Sequence, residues 1–310
     1  MSVPSGANPK QVEQAPAVGG RELLPPDLAR SLDRLRLLAH RPRRGEMQGE
    51  RRGPRKGRSV ELSDFRPYAE GDDPRQIDWR AYARMERLFI KLFVVEEDTT
   101  LHLLLDRSQS MAWGAPPKLW LAKQLAAAMG YVALGRQEWV STVSFAAGGT
   151  GRPEPVRGRD GLPRLLSSLA ALGAEGGTDS KRALVEYAAA ARRPGPLLLF
   201  SDLYGEGWHA GIDALLAAGF EPSVIHILDP EELRPTLAGD LRLRDDETGE
   251  HVPVTIDEGV LRTYRAALAE WRDGWADFCA GRGVTFVPLD STLGVEDILF
   301  GIFRMRGLVG

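Results

Sequence analysis

The chain of 310 residues has the composition of an ordinary soluble globular protein, with 43% hydrophobic and 27% charged residues, and is long enough for one large or two modest domains. Its formal net charge of -3 argues against a protein that binds polyanions over its whole surface. The single cysteine, Cys279, excludes an internal disulfide and a cysteine-rich zinc site, and we expect it to be a buried helix residue.

The first twenty residues are rich in proline, glycine, alanine and glutamine, and they lack the basic start and apolar stretch of a secretion signal. Such a composition buries too little apolar surface to offset the entropy lost on ordering, so we predict a disordered tail over residues 1–20. A run of about 18 apolar residues, which a membrane-spanning helix needs, does not occur. The sequence therefore predicts a cytoplasmic protein without a membrane span.

An N-terminal segment, residues 21–98, precedes the predicted main domain. Leucines recur at helical spacing over residues 28–38, after Pro26, which predicts one amphipathic helix. Residues 41–58 hold seven arginines and one lysine against two glutamates, a net charge of +6, broken by glycines and prolines. We predict a basic loop here.

The same segment ends in a short predicted helix, residues 79–85, and a β-rich run, residues 88–96. A second β-rich run follows at residues 99–105, which begins the main domain. The two runs are separated by the polar stretch EDTT, and two arrangements stay open: a hairpin of the two runs, or two strands that are neighbours in one sheet.

Residues 99–310 alternate helices with short buried strands, which predicts an α/β fold: a Rossmann-like, doubly wound, mostly parallel sheet with helices on both faces. The N-terminal helix/loop/strand segment is added to this sheet. A Thr-Gly turn between two strand-like runs predicts a hairpin insertion near residues 240–256. Further strands are predicted at 138–146, 196–202, 222–228 and 284–290, and helices at 117–134, 264–278 and 295–302.

Two of the apolar strands end in oxygen-bearing side chains. Asp106, Ser108 and Ser110 follow one strand, Asp202 follows another, and Thr178 comes just before a predicted helix. Ligands of open α/β sheets bind at the carboxyl ends of the strands, so these side chains are expected to converge. Hydroxyl and carboxylate oxygens are the ligands that Mg²⁺ or Mn²⁺ prefers. The sequence therefore predicts a metal site formed by Asp106, Ser108, Ser110, Thr178 and Asp202.

Asp106 and Asp202 would balance the charge of a divalent ion, while the three hydroxyls would coordinate without adding charge. A position left to water could then accept an acidic side chain from another protein. The alternative is that these residues only form turns and cap helices.

The same five residues, in this order, resemble the metal-ion-dependent adhesion site of von Willebrand factor A (vWA) domains. Upstream, the run GRSVELSDFRPYAEGDDPRQIDWRAYARMERLFIKLF is similar to the signature of the bacterial domain-of-unknown-function family fifty-eight, and the resemblance covers about residues 40 to 310. It implies a vWA-like fold, frequent genetic company with MoxR-type AAA+ ATPases, and no assigned enzymatic activity. Many members carry membrane-spanning helices before the signature, whereas this sequence predicts none.

The sequence lacks the motifs of several other kinds of functional site. A haloacid-dehalogenase-like phosphatase needs a second aspartate where this chain has Ser108, and the P-loop, the His-Glu-x-x-His motif and the Gly-x-Ser-x-Gly elbow do not occur. His102 and His226 fall inside predicted strands and are interpreted as structural residues. The loop 41–58 could bind nucleic-acid phosphates, but it lacks aromatic residues for stacking and an acidic stretch follows it.

We therefore expect a non-catalytic, divalent-metal-dependent protein-interaction module. Its expected partner, from the resemblance, is a MoxR-type AAA+ ATPase or the client of one, bound through an acidic side chain that completes the metal shell. The module would be an adaptor in the assembly or activation of another complex. The alternative is a Mg²⁺-dependent phosphoesterase or a nucleic-acid-binding protein that uses the basic loop 41–58.

Overall fold

A computed structural model describes residues 22–37, 60–69, 72–74, 77–95, 99–146, 149–151, 155–191, 193–244 and 251–310. The described residues fall into two compact units, one drawn from Met1–Leu38 with Leu101–Gly310 and the other from Ala39–Thr100. The tail predicted at 1–20 and the basic loop predicted at 41–58 lie outside the described residues and stay predictions.

Strands and helices alternate along most of the described chain. The strands are β1 (Val60–Pro67), β2 (Phe89–Val95), β3 (Thr100–Asp106), β4 (Trp139–Ala146), β5 (Gly149–Thr150), β6 (Val156–Arg157), β7 (Pro196–Ser201), β8 (Glu221–Leu228), β9 (Gly239–Arg244), β10 (His251–Ile256) and β11 (Thr285–Asp290). The α-helices are α1 (Pro26–Leu32), α2 (Trp79–Met85), α3 (Lys118–Gly135), α4 (Leu162–Ala170), α5 (Ser180–Ala190), α6 (Trp208–Ala217), α7 (Pro230–Leu233) and α8 (Glu258–Ala280). Short 3₁₀ turns occur at Gln109–Ala112 and Arg159–Gly161, and a π-helix at Asp297–Phe303.

The larger unit is built on a seven-stranded sheet in the order β11-β8-β7-β3-β4-β5, with β6 also paired to β4. The pairs β11/β8, β8/β7 and β7/β3 are parallel, and β5 and β6 run antiparallel to β4. Strand β3 lies in the middle of this sheet and all seven of its residues are buried: Leu101, Leu103 and Leu105 point to one face, while Leu104 shares the other face with polar side chains. The mostly parallel α/β sheet predicted from the sequence is confirmed.

Helices cover both faces of this sheet. Leu103 and Leu105 of β3 pack in a core with α1, α3 and the π-helix, whereas Leu104 packs in a second core with α5, α6 and α8. The period of two along the strand sends alternate side chains to opposite faces. Cys279 of α8 is fully buried in the second core, as predicted.

The N-terminal helix is shorter than the predicted 28–38. Helix α1 ends at Leu32 because Arg36 and Gly310 exchange two backbone hydrogen bonds of 2.8 Å, and this extended pairing is incompatible with a helix. Leu28 and Leu32 pack in the same core as α3. Residues 22–37 therefore belong to the larger unit, whereas the sequence grouped them with the segment 21–98.

The smaller unit contains the antiparallel pair β1/β2 and helix α2, which lies at the predicted residues. Asp78 caps α2 by accepting hydrogen bonds from the backbone N–H groups of Arg80 and Ala81. Both arrangements left open for the runs at 88–96 and 99–105 are wrong, because β2 pairs with β1 while β3 enters the larger sheet.

The predicted hairpin near 240–256 is confirmed by the antiparallel pairing of β9 with β10. Each helix in the described part of the chain is either too short or too polar to cross a bilayer.

Candidate metal centre

The centre lies where the connections of the sheet change direction. The chain leaves β3 towards β4 on one side and later returns to β7 on the other side, which makes the carboxyl ends of β3 and β7 a topological switch point. Leu105 and Phe200 are paired in register, so Asp106 and Ser201 emerge side by side. Ser201 Oγ donates a 2.7 Å hydrogen bond to Asp106 Oδ2.

Asp106 is completely buried and accepts hydrogen bonds on both carboxylate oxygens. Its Oδ1 atom accepts from the backbone N–H of Ser108 at 2.9 Å and from Thr178 Oγ1 at 3.0 Å. The Oγ atoms of Ser108 and Ser110 lie 3.0 Å apart. The predicted residues Asp106, Ser108, Ser110 and Thr178 are thus joined by direct hydrogen bonds.

Thr178 reaches Asp106 because its loop is fastened to the turn after β3. The backbone N–H of Gln109 donates to the carbonyl oxygen of Gly176 at 2.7 Å, and that of Glu175 donates to the carbonyl oxygen of Arg107 at 2.8 Å. The side chains of Arg107 and Glu175 add an ion pair of 2.6 Å. These bonds bring together residues that lie 72 positions apart in the sequence.

Asp202, the fifth predicted residue, directly follows β7 and is only 1% exposed. Its Oδ1 atom accepts a hydrogen bond from the backbone N–H of Tyr204 at 3.2 Å. Burial of Asp106 and then the negative charge of Asp202 raise the pKa of the Asp106 carboxyl above its usual range. The two carboxylates are therefore close enough to interact electrostatically.

The sequence interpretation missed Lys118, a fully buried lysine at the first position of α3. Its Nζ atom lies 2.8 Å from Asp202 Oδ2 and 2.6 Å from Glu232 Oε1, and it lies 5.3 Å from the centre of the Tyr204 ring. A signal was present, because a lysine in the first turn of a helix opposes the helix dipole. The contact with Glu232, 114 positions away, could not be predicted from spacing.

The net charge of this cluster is suited to a divalent cation. Asp106, Asp202 and Glu232 are three carboxyl groups, and Lys118 is the one ammonium group that pairs with any of them among the described residues. Ionised, the four groups carry a net charge of two negative units, the amount that a divalent ion balances.

The donor set fits a hard cation in its chemistry. Within the described residues, no three His, Cys, Asp and Glu side chains are grouped to hold a metal, so an ion here would depend on hydroxyl oxygens as well as carboxylates. Hydroxyl and carboxylate oxygens together suit Mg²⁺ and Mn²⁺. A magnesium ion bound in a protein usually keeps several waters, so a partial protein shell is sufficient.

The hydrogen-bonded ring nitrogens of the two strand histidines contact groups other than the hydroxyls of Ser108, Ser110 and Thr178. His102 Nδ1 contacts the Tyr187 hydroxyl at 2.6 Å and its Nε2 contacts the Arg193 carbonyl oxygen at 2.9 Å, which confirms a structural role. His226 Nε2 contacts the Asp202 carbonyl oxygen at 3.1 Å, while its buried Nδ1 has no hydrogen-bond partner among the described residues. Burial lowers the pKa of each histidine to about 4, so both are neutral at pH 7.

The fold and the site together define a mixed α/β protein with an oxygen-rich, charged cluster at the switch point of a mostly parallel sheet. A family model described as "Protein of unknown function DUF58" matches residues 64–273, and the chain belongs to this family. The resemblance to family fifty-eight seen in the sequence is confirmed. The chain is also similar to the uncharacterized proteins Rv1480 of Mycobacterium tuberculosis and Mb1516 of Mycobacterium bovis, with 27% identity over 293 residues that cover 91% of this chain and 91% of each relative.

Two of the solved structures with partial similarity come from Bacteroides species. The conserved hypothetical protein BatB from Bacteroides thetaiotaomicron matches with 16% identity and a TM-score of 0.41, covering 67% of this chain and 98% of that one. An aerotolerance-related membrane protein from Bacteroides fragilis matches with 17% identity and a TM-score of 0.42, covering 67% of this chain and 100% of that one.

Proposed function

We propose that this chain is a divalent-metal-dependent protein-interaction module with a vWA-like fold. The ion is Mg²⁺ or Mn²⁺, and the residues that hold it are Asp106, Ser108, Ser110, Thr178 and Asp202. The observation that carries the proposal is the buried Asp106 carboxylate, which receives hydrogen bonds from Thr178 and Ser201 and faces the charge of Asp202. A cation at this point would offset the repulsion between the two carboxylates.

The bound ion would supply an electrophilic point at the surface end of the sheet. Hydroxyl ligands are neutral, so the ion would keep part of its charge and attract an acidic side chain of a partner. Two exposed aromatic residues support a protein interface beside the site: Trp113, which follows the Ser110 turn and is 45% exposed, and Tyr204, which follows Asp202 and is 36% exposed. Aromatic residues are enriched in protein interfaces and among their hot spots.

The partner that we propose is a MoxR-type AAA+ ATPase or its client, on the strength of the family resemblance. The chain itself would act as an adaptor in the assembly or activation of another complex. In this role it contributes recognition, and the ATPase contributes the energy of nucleotide hydrolysis.

The proposal is tested by measuring binding of the chain to a purified MoxR-type ATPase by biolayer interferometry in Mg²⁺ and in EDTA. Binding is expected in Mg²⁺ only, and Thr178→Val should abolish it because this change removes one hydroxyl oxygen. Thr263→Val is the matched control, since Thr263 is an exposed residue of α8 whose hydroxyl, among the described residues, donates only to the Gly259 carbonyl oxygen. Equal binding in Mg²⁺ and EDTA would contradict metal dependence.

The same samples distinguish the module from a Mg²⁺-dependent phosphoesterase. Hydrolysis of a generic phosphate ester is measured with Mg²⁺ and with Mn²⁺, and a rate equal to that of buffer is expected. Turnover that Thr178→Val removes and Thr263→Val retains would favour the enzyme instead.

A further inference from the structure

The buried ammonium group of Lys118 contacts Asp202, one of the proposed ligands of the candidate metal centre. Its Nζ atom contacts Oδ2 of Asp202 at 2.8 Å and Oε1 of Glu232 at 2.6 Å, and its side chain is completely buried. Glu232 is held in turn, because its Oε2 atom accepts a 2.7 Å hydrogen bond from the backbone N–H of Asp229. The lysine therefore has a fixed position beside Asp202.

A buried ion pair is weak evidence that this lysine is present for stability, although removing one partner alone is destabilising. Buried ion pairs are expensive to desolvate, and well-packed apolar residues of similar volume often replace them without loss of stability. The position at the start of α3 adds an unfavourable interaction with the helix dipole. Its most direct electrostatic effect is on Asp202 and on any ion that Asp202 helps to hold.

We propose that Lys118 sets the affinity of the metal centre, a proposal that rests on the function proposed above. Its positive charge, one hydrogen bond away from Asp202, weakens binding of a divalent cation, and the negative charge of Glu232 offsets part of this effect. An ion bound in this way is held less tightly by the chain and keeps more of its attraction for a partner's carboxylate. The Lys118/Glu232 pair would thus balance metal binding against partner binding.

The test is direct titration with Mn²⁺, followed by the electron paramagnetic resonance signal of the free ion, on the full chain and three variants. Lys118→Met should bind Mn²⁺ at least about tenfold more tightly, because it removes a unit positive charge that lies 2.8 Å from the proposed ligand atom Asp202 Oδ2. Glu232→Gln should bind at least about tenfold more weakly for the same reason with the opposite sign. A merely structural lysine would give weaker binding in both variants.

Lys123→Met is the matched control. Lys123 lies on the same helix and is 8% exposed, but it donates to the carbonyl oxygens of Ala170 and Leu172 and touches no carboxylate in the described residues. Its affinity for Mn²⁺ should equal that of the unmodified chain. A tenfold change in this control would show that any buried lysine of α3 alters the site through the fold, and it would overturn the proposal.

The outcomes separate this proposal from the one on which it rests. If the unmodified chain binds no Mn²⁺, the metal-dependent function fails and Lys118 has no ion to act on. If the unmodified chain binds Mn²⁺ but Lys118→Met binds equally or more weakly, the function stands and the role of Lys118 is overturned. If Lys118→Met does not fold, the neutral variant Lys118→Gln replaces it with the same expected tighter binding, and equal or weaker binding by the folded Lys118→Gln overturns the proposal.

Discussion

The Ser201→Ala variant tests whether the hydrogen bonds around Asp106 are formed as described. Ser201 Oγ donates to Asp106 Oδ2 at 2.7 Å and accepts from the backbone N–H of Leu203 at 2.8 Å. Both Ser201 and Leu203 are buried, so water cannot replace the lost hydroxyl without a rearrangement. Leu203 also has a left-handed backbone conformation, with φ of 59°, which the hydrogen bond helps to hold.

The expected loss of stability follows from these two contacts. A hydrogen bond to a charged group contributes about 1.5–3 kcal/mol, and a buried N–H group without a partner costs about 1–3 kcal/mol. Because the two contacts share one oxygen atom and are not additive, we expect a decrease of about 3 kcal/mol in the free energy of unfolding in EDTA.

The assay is equilibrium unfolding in urea, followed by circular dichroism, at pH 7.5. The matched control is Ser168→Ala, whose hydroxyl donates only to the Leu165 carbonyl oxygen within α4 and whose loss should cost within about 0.5 kcal/mol. If Ser201→Ala costs no more than Ser168→Ala, the hydrogen-bonded arrangement around Asp106 is wrong.

Two further predictions concern the charged and titratable groups of the core. Asp202→Ala should destabilise the chain in EDTA by about 3–5 kcal/mol, because it removes one of the two carboxylates that compensate the buried Lys118. Equilibrium unfolding in urea measures this loss. A loss below about 1 kcal/mol would contradict the buried ion pair. Burial lowers the pKa of His102 from 6.5 to about 4. Between pH 6.5 and pH 4 the unfolded chain therefore binds more protons at this residue than the folded chain does. The free energy of unfolding falls as the pH drops through this range, by up to about 3 kcal/mol. Unfolding of His102→Gln between pH 7.5 and 4.5 should show a correspondingly smaller fall, and an unchanged pH dependence would show that His102 is not held neutral by burial.

The sequence was most informative where local pattern and topology agree. The apolar runs before Asp106 and Asp202 predicted parallel strands, and the convergence of strand ends at a switch point then predicted that their side chains would meet. The positions of Ser108, Ser110 and Thr178 in the sequence added three hydroxyl oxygens to the predicted set of ligands. These inferences needed only the periodicity of strands and the chemistry of oxygen ligands.

The parts that the sequence did not predict depend on contacts between distant segments. The pairing of β2 with β1 across a long connection has no local signal, so the run at 88–96 was associated with the wrong neighbour. Helix α1 ends early because Arg36 pairs with the last residue of the chain. Lys118 and Glu232 meet only after α3 and α7 are placed at the same end of the sheet.

The central claim is that the cluster around Asp106 binds a divalent cation, and thermal unfolding tests it most directly. The full chain is unfolded in EDTA and in rising Mg²⁺ or Mn²⁺, beside Asp106→Asn and the surface control Asp213→Asn, whose carboxylate pairs with Arg282. Metal at about 100 times its dissociation constant should add about 2.7 kcal/mol to the native state and raise the midpoint by a few degrees in the full chain and in the control, but not in Asp106→Asn. No metal-dependent rise in the full chain, or an equal rise in Asp106→Asn, would contradict the claim.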